Sequence, residues 1–81
     1  MGIRVLFFAS LADITGTRET TVDAAAVTDV MSVFDRFAKE FPLLENYRSS
    51  VLFALNSEFA RAGSPVRDGD ELAFFPPVSG G

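Results

Sequence analysis

Hydrophobic and polar positions divide the chain into short alternating runs and one stretch of helical spacing. Residues 3–9, Ile-Arg-Val-Leu-Phe-Phe-Ala, are rich in β-branched and aromatic side chains and predict a first strand. Ser10 to Gly16 holds turn-compatible residues, and Thr17 to Val22 alternates polar with β-branched positions, as an edge strand paired to the first would. The spacing then changes. Val27, Val30, Met31, Phe34, Phe37, Ala38 and Phe41 fall at i, i+3, i+4, i+7 and predict a helix over 27–41 with one buried stripe. Asp35 and Lys39 stand an i,i+4 step apart on its opposite side, Asp29 and Lys39 agree in sign with the helix dipole, and Pro42 stops the helix. Thr28 caps it if it starts late; an earlier start leaves Ala26, a weak cap.

Beyond Pro42, Leu43 to Ser50 reads as an irregular turn. Val51 to Leu55 is nearly all apolar and predicts a central strand. Asn56 opens a turn before a short strand at Glu58–Ala60, Ser64-Pro65 and Asp68-Gly69 mark further turns, and Glu71 to Phe75 is the last strand. Pro76-Pro77 ends it, because proline brings no donor to a ladder. The order β-β-α-β-(β)-β is that of a two-layer α+β domain, and the β-grasp, or ubiquitin-like roll, has it: a mixed sheet of four to five strands on one main helix. Residues 1–75 form the expected domain and 76–81 an extended, flexible C-terminal tail.

Strand alternation adds a surface to this picture. If Ile3, Val5, Phe7, Leu72 and Phe74 face the helix, Leu6, Phe8, Ala73 and Phe75 face away. One helix cannot cover both faces of a sheet, so apolar side chains remain exposed, and such patches mark interfaces. Phe8 and Phe75 are the expected partner contacts.

Composition narrows the function. The chain has 81 residues, nine phenylalanines, and neither cysteine nor histidine. Disulfides and His/Cys metal sites are thereby excluded, and a serine triad lacks its base. Seven basic against eleven acidic residues give a net charge of −4 with no basic run, which argues against nucleic-acid binding. Val5 to Ala9 is too short to span a bilayer, and no signal peptide is read, so the expectation is a soluble cytoplasmic protein. Asp68, Asp70 and Glu71 read as solvated, and Arg4 and Arg67 as surface residues able to meet an anion.

The chemistry is concentrated in Pro76-Pro77-Val78-Ser79-Gly80-Gly81. Two prolines favour polyproline geometry and stiffen the root, and six residues reach at most ~20 Å. Two glycines carry no side chains and pass a narrow channel. A terminal carboxyl group, with a pKa of about 3.3–3.7, is ionised at neutral pH and is a poor acyl electrophile. It would need activation as a mixed anhydride with AMP, and the chain has no nucleotide-binding loop, so the ATP-using enzyme would be a partner.

Residues Gly69 to Gly81, Gly-Asp-Glu-Leu-Ala-Phe-Phe-Pro-Pro-Val-Ser-Gly-Gly, resemble the C-terminal signature of the molybdopterin synthase small-subunit family of ubiquitin-like sulfur carriers. Val5-Leu6-Phe7-Phe8-Ala9 with Gly16, and Ala54-Leu55-Asn56, are similar to upstream motifs of that family. The resemblance implies a β-grasp fold and a role in molybdenum cofactor biosynthesis. It implies that Gly81 is adenylated by an enzyme related to the ubiquitin-activating class, then converted to a thiocarboxylate with sulfur from a donor protein. Pro76, Pro77, Val78, Ser79 and Gly80 would enter the active site of the large subunit, where sulfur passes to cyclic pyranopterin monophosphate. Phe8, Phe59 and Phe75 would contact the large subunit and the adenylating enzyme, in an assembly of two small and two large subunits. The chain would bind no cofactor or metal and would be the sulfur-donating, non-catalytic subunit. The family often has Thr where this chain has Ala26, at a helix cost of about 1 kcal/mol. Alternatives are a carrier for thiamine or tungsten cofactor, a ubiquitin-like protein modifier, and an interaction module with an inert tail.

Overall fold

The computed structural model describes residues 2–77. In chain order, strand β1 is Gly2–Phe7, helix α1 is Ser10–Thr15, strand β2 is Glu19–Asp23, helix α2 is Val30–Glu40, and strands β3, β4 and β5 are Leu52–Leu55, Glu58–Ala60 and Glu71–Phe75. Short 3-10 turns occupy Ala24–Ala26 and Pro42–Tyr47. The five strands form one mixed sheet in the order β2-β1-β5-β3-β4. β1 and β5 run parallel, and the other pairs are antiparallel.

Alternation sorts the strands as expected. Ile3, Val5, Phe7, Leu72 and Phe74 are buried against α2, whose Val30, Val33, Phe34 and Ala38 complete the core. Phe74 is its centre: its ring lies 5.5–5.7 Å from those of Phe7, Phe34 and Phe53. Of the helix phenylalanines, Phe34 is fully buried, while Phe37 and Phe41 pack at the core's margin.

Several local expectations are corrected. Ser10 to Gly16 is not a simple turn but the two-turn helix α1, whose Leu11 is completely buried. Gly16, at φ 75°, adopts the left-handed conformation that closes it, donating to the Ala12 carbonyl at 2.9 Å. Helix α2 starts at Val30, later than the apolar stripe suggests, and neither Thr28 nor Ala26 caps it. Asp29 does: its carboxylate accepts from the Ser32 N–H at 2.8 Å, while the Ser32 hydroxyl accepts from the Asp29 N–H at 3.0 Å. Ala26 lies in the 3-10 turn, where the Asp23 carboxylate accepts from Ala25 N–H, so the cap penalty assigned to it does not arise.

Asp35 pairs with Arg48 at 2.7 Å rather than with Lys39. Arg48 also meets Glu45 at 2.7 Å and lies 5.4 Å over the Phe34 ring, tying the Pro42–Tyr47 turn to α2. The segment after Pro42 is therefore an ordered 3-10 turn that buries Leu44.

Candidate functional site

The sheet face away from α2 is divided into two halves by its own sequence. At the end where β1 and β3 alternate through Leu6 and Leu52, the outward positions are apolar. At the other end they are charged. Arg4 on β1 donates two hydrogen bonds to Glu19 on β2, at 2.8 and 3.0 Å, and one to Glu71 on β5, at 3.0 Å. The hydrogen bond from Arg4 is the main reason the Glu19 carboxyl is held below the usual carboxylate range, and that same bond raises Arg4. Arg4 is thus engaged and is not an open anion site. Asp70 and Glu71 are not merely solvated either. Asn56 donates to the Asp70 carboxylate at 3.0 Å and accepts from the Glu71 N–H at 2.9 Å, which locks the start of β5 against the end of β3.

The apolar half collects the aromatic residues singled out from the sequence. The Phe8 N–H donates to the Phe74 carbonyl at 3.2 Å, carrying the parallel ladder one residue beyond β1. This sets Phe8 beside Phe75, and their rings stack at 4.6 Å with planes 12° apart. Ala9 follows at φ 52°, a left-handed value uncommon for a residue with a side chain, as the backbone turns from β1 into α1. Phe59, on the edge strand β4, is 83% exposed. It stands opposite Ala54 in the β3–β4 register, on the same face as Leu52 and Phe75. Ala73 faces this side as expected, yet it is buried, in register between Leu6 and Ala54.

Phe8, Ala9, Leu52, Phe59, Phe75 and Pro76 line an open groove of about 250 Å³. That is below the ≈ 300–1,000 Å³ of small-molecule pockets, and its walls are almost wholly apolar, so the groove suits a protein surface. Phe8, Phe59 and Phe75 therefore come together, with Pro76 at the groove and Pro77 exposed beside it. Leu52 is the residue that sequence reading missed. The apolar run predicts a central strand, and β3 is interior in the sheet, but strand alternation still puts Leu52 on the open face. Val78, Ser79, Gly80 and Gly81, predicted to carry the chemistry, lie outside the described residues. Among the described residues no group of three or more acidic side chains could hold a metal ion, and no helix is long and apolar enough to cross a membrane.

Comparison with known proteins adds the whole-chain context. The model of the ThiS family matches residues 5–81. The molybdopterin synthase sulfur carrier subunit of Escherichia coli is 39% identical over 85 residues, spanning 98% of this chain and 99% of that protein. That of Arabidopsis thaliana is 38% identical over 79 residues, spanning 98% and 82%. The crystal structure of SAMP1 from Haloferax volcanii has a TM-score of 0.83 and 32% identity, with all of both chains covered.

Proposed function

The chain belongs to the ThiS family, and from that premise we propose that it is the sulfur carrier subunit of a molybdopterin synthase, with Gly81 as the carrying residue. The observation that carries this reading is the full-length similarity to proteins of that name, which runs through the tail that Pro76 and Pro77 root. The groove supports it physically: a partner gripping Phe8, Leu52, Phe59 and Phe75 is brought directly to the point where the tail departs.

The chemistry asked of the chain is confined to one acyl group. The Gly81 carboxylate attacks the α-phosphate of ATP bound by an adenylating partner, forming an acyl-adenylate and releasing pyrophosphate. Hydrosulfide delivered by a donor protein then attacks the acyl carbon, the C–S bond forming as the bond to AMP breaks, and AMP leaves a thiocarboxylate behind. In the large subunit the thiocarboxylate passes its sulfur to cyclic pyranopterin monophosphate, and the carboxylate is restored with oxygen from water. Gly80 and Gly81 have no side chains to obstruct a narrow channel, and Pro76-Pro77 limit the conformational entropy lost when the tail docks. Residues 76–81 act as the tail, and ATP is used by the partner alone.

Intact mass spectrometry after incubation with ATP, the adenylating enzyme and a sulfur donor tests this. One oxygen exchanged for sulfur at Gly81 is the expected result; an unchanged mass with an active partner would exclude the carrier role. The likeness to SAMP1, a small archaeal modifier, favours a second reading in which the same acyl-adenylate ends in an isopeptide with lysine. Gly81 recovered on lysine side chains of cellular proteins would establish it.

A further inference from the structure

The apolar groove is too small to be a whole docking surface. Phe8, Leu52 and Phe59 are 42%, 39% and 83% exposed. At about 200 Å² per large side chain they offer roughly 300 Å². Partial exposure of Phe75 and Pro76 still leaves this short of the ~800 Å² that each partner contributes to a standard interface. The footprint must extend, and the polar half of the face is a poor direction, because its arginine, glutamates and asparagine already satisfy one another.

The other direction is open. On the β2 side of Phe8 lies a second depression of about 320 Å³, lined by Leu6, Phe8, Ala9, Ala12, Arg18 and Glu19. It shares Phe8 and Ala9 with the groove, so the two adjoin at these residues. Its floor is apolar and its rim is charged. Glu19 is already bound by Arg4, and no carboxylate among the described residues lies within ion-pair distance of the Arg18 guanidinium. The Arg18 backbone is held, since its carbonyl accepts from the Phe7 N–H at 2.9 Å. An exposed arginine on a fixed backbone beside an apolar hollow is complementary to a carboxylate neighbouring an apolar side chain.

We propose that the docking surface extends past Phe8 into this depression, where a partner protein inserts an apolar side chain and places an adjacent Asp or Glu carboxylate on Arg18. The inference rests on the sulfur-carrier reading for the identity of the partner, the large subunit of the synthase. Arg18 acts in docking, not in the sulfur chemistry.

The test is the affinity and association rate of the full chain for the purified large subunit, with Arg18→Glu, Arg18→Gln and, as a control for net charge, Lys39→Glu on the outer side of α2. Arg18→Glu is expected to weaken binding about tenfold or more, with the loss shrinking as salt rises, and Arg18→Gln less. Lys39→Glu should stay within about twofold. The substituted side chains are exposed, and circular dichroism of each variant verifies the fold. If wild type binds and Arg18→Glu binds equally well, the depression is not part of the interface. If wild type does not bind the large subunit at all, the carrier reading falls and this inference with it. A concentration-dependent dimer of the isolated chain that Arg18→Glu abolishes would assign the depression to a second copy. Tighter binding by Arg18→Glu than by wild type, with no further gain when the chain ends at Pro77, would assign it to the chain's own terminus. Either result overturns the proposal.

Discussion

The two faces of the sheet are built from the same strands, often from adjacent residues, and they do opposite work. On the covered face, Phe74 lies at the centre of an aromatic cluster and is completely buried. One residue along, Phe75 turns to the open face, stacks on Phe8 and helps line the groove. A phenylalanine in the first position stabilises the domain. In the second it leaves apolar surface in water, an arrangement that makes physical sense where another protein removes it. The period of two along a strand is what allows stability and recognition to be encoded independently in five residues.

Substitutions on the two faces should separate these roles. The largest effect is expected from Phe74→Ala, which empties the core centre and should cost about 3–5 kcal/mol in urea unfolding, enough to threaten a small domain. Phe59→Ala is the converse: unfolding free energy should move by no more than about 0.5 kcal/mol, while binding to the large subunit measured by calorimetry should lose about 2 kcal/mol. A stability loss from Phe59→Ala as large as that from Phe74→Ala would erase the distinction between the faces. Asp29→Ala, on the helix that covers the core, should cost about 1 kcal/mol and leave binding unchanged.

The smallest effect concerns pH. Glu19 and Glu45 are held below their ordinary range by hydrogen bonds from Arg4 and Arg48. A carboxyl whose folded value is depressed adds stability above the unfolded value, about pH 4, and loses it as pH falls through the folded value. Stability should therefore decline on acidification below about pH 4, and Arg4→Met should flatten the part due to Glu19, as read from urea midpoints across pH. Both pairs are solvent-exposed, so the change is modest.

Much of this division was legible in the sequence, because alternation is a local property. The split of Ile3, Val5 and Phe7 from Leu6 and Phe8, and of Phe74 from Phe75, needs only the pleat. The bounds of β5 agree residue for residue with the reading, since Gly69 and Pro76 punctuate it. Helix α1 was hidden because six residues are too few to display a period, and its stability comes from burying Leu11 rather than from propensity. The α2 cap was missed because Ser32 stands where a capping box usually has Glu or Gln. Val51 left the strand because its N–H is taken by the Tyr47 carbonyl at 2.7 Å. The depression beside Arg18 was not legible, since it needs α1, β1 and β2 placed in space.

The order β2-β1-β5-β3-β4 has a kinetic consequence. The strand at the middle of the sheet is the last of the five in the sequence, and among the described residues it alone pairs with both β1, which holds β2, and β3, which holds β4. Until residues 71–75 are in place the chain holds two separate hairpin-like pairs. Joining them closes a loop of more than sixty residues, so assembly is expected to be all-or-none, at the slower pace of non-local topologies. The strand that completes assembly also carries Phe75 and leads directly into Pro76. A molecule that has not finished folding therefore has neither the aromatic stack of Phe8 on Phe75 nor a fixed Pro76 at the end of β5.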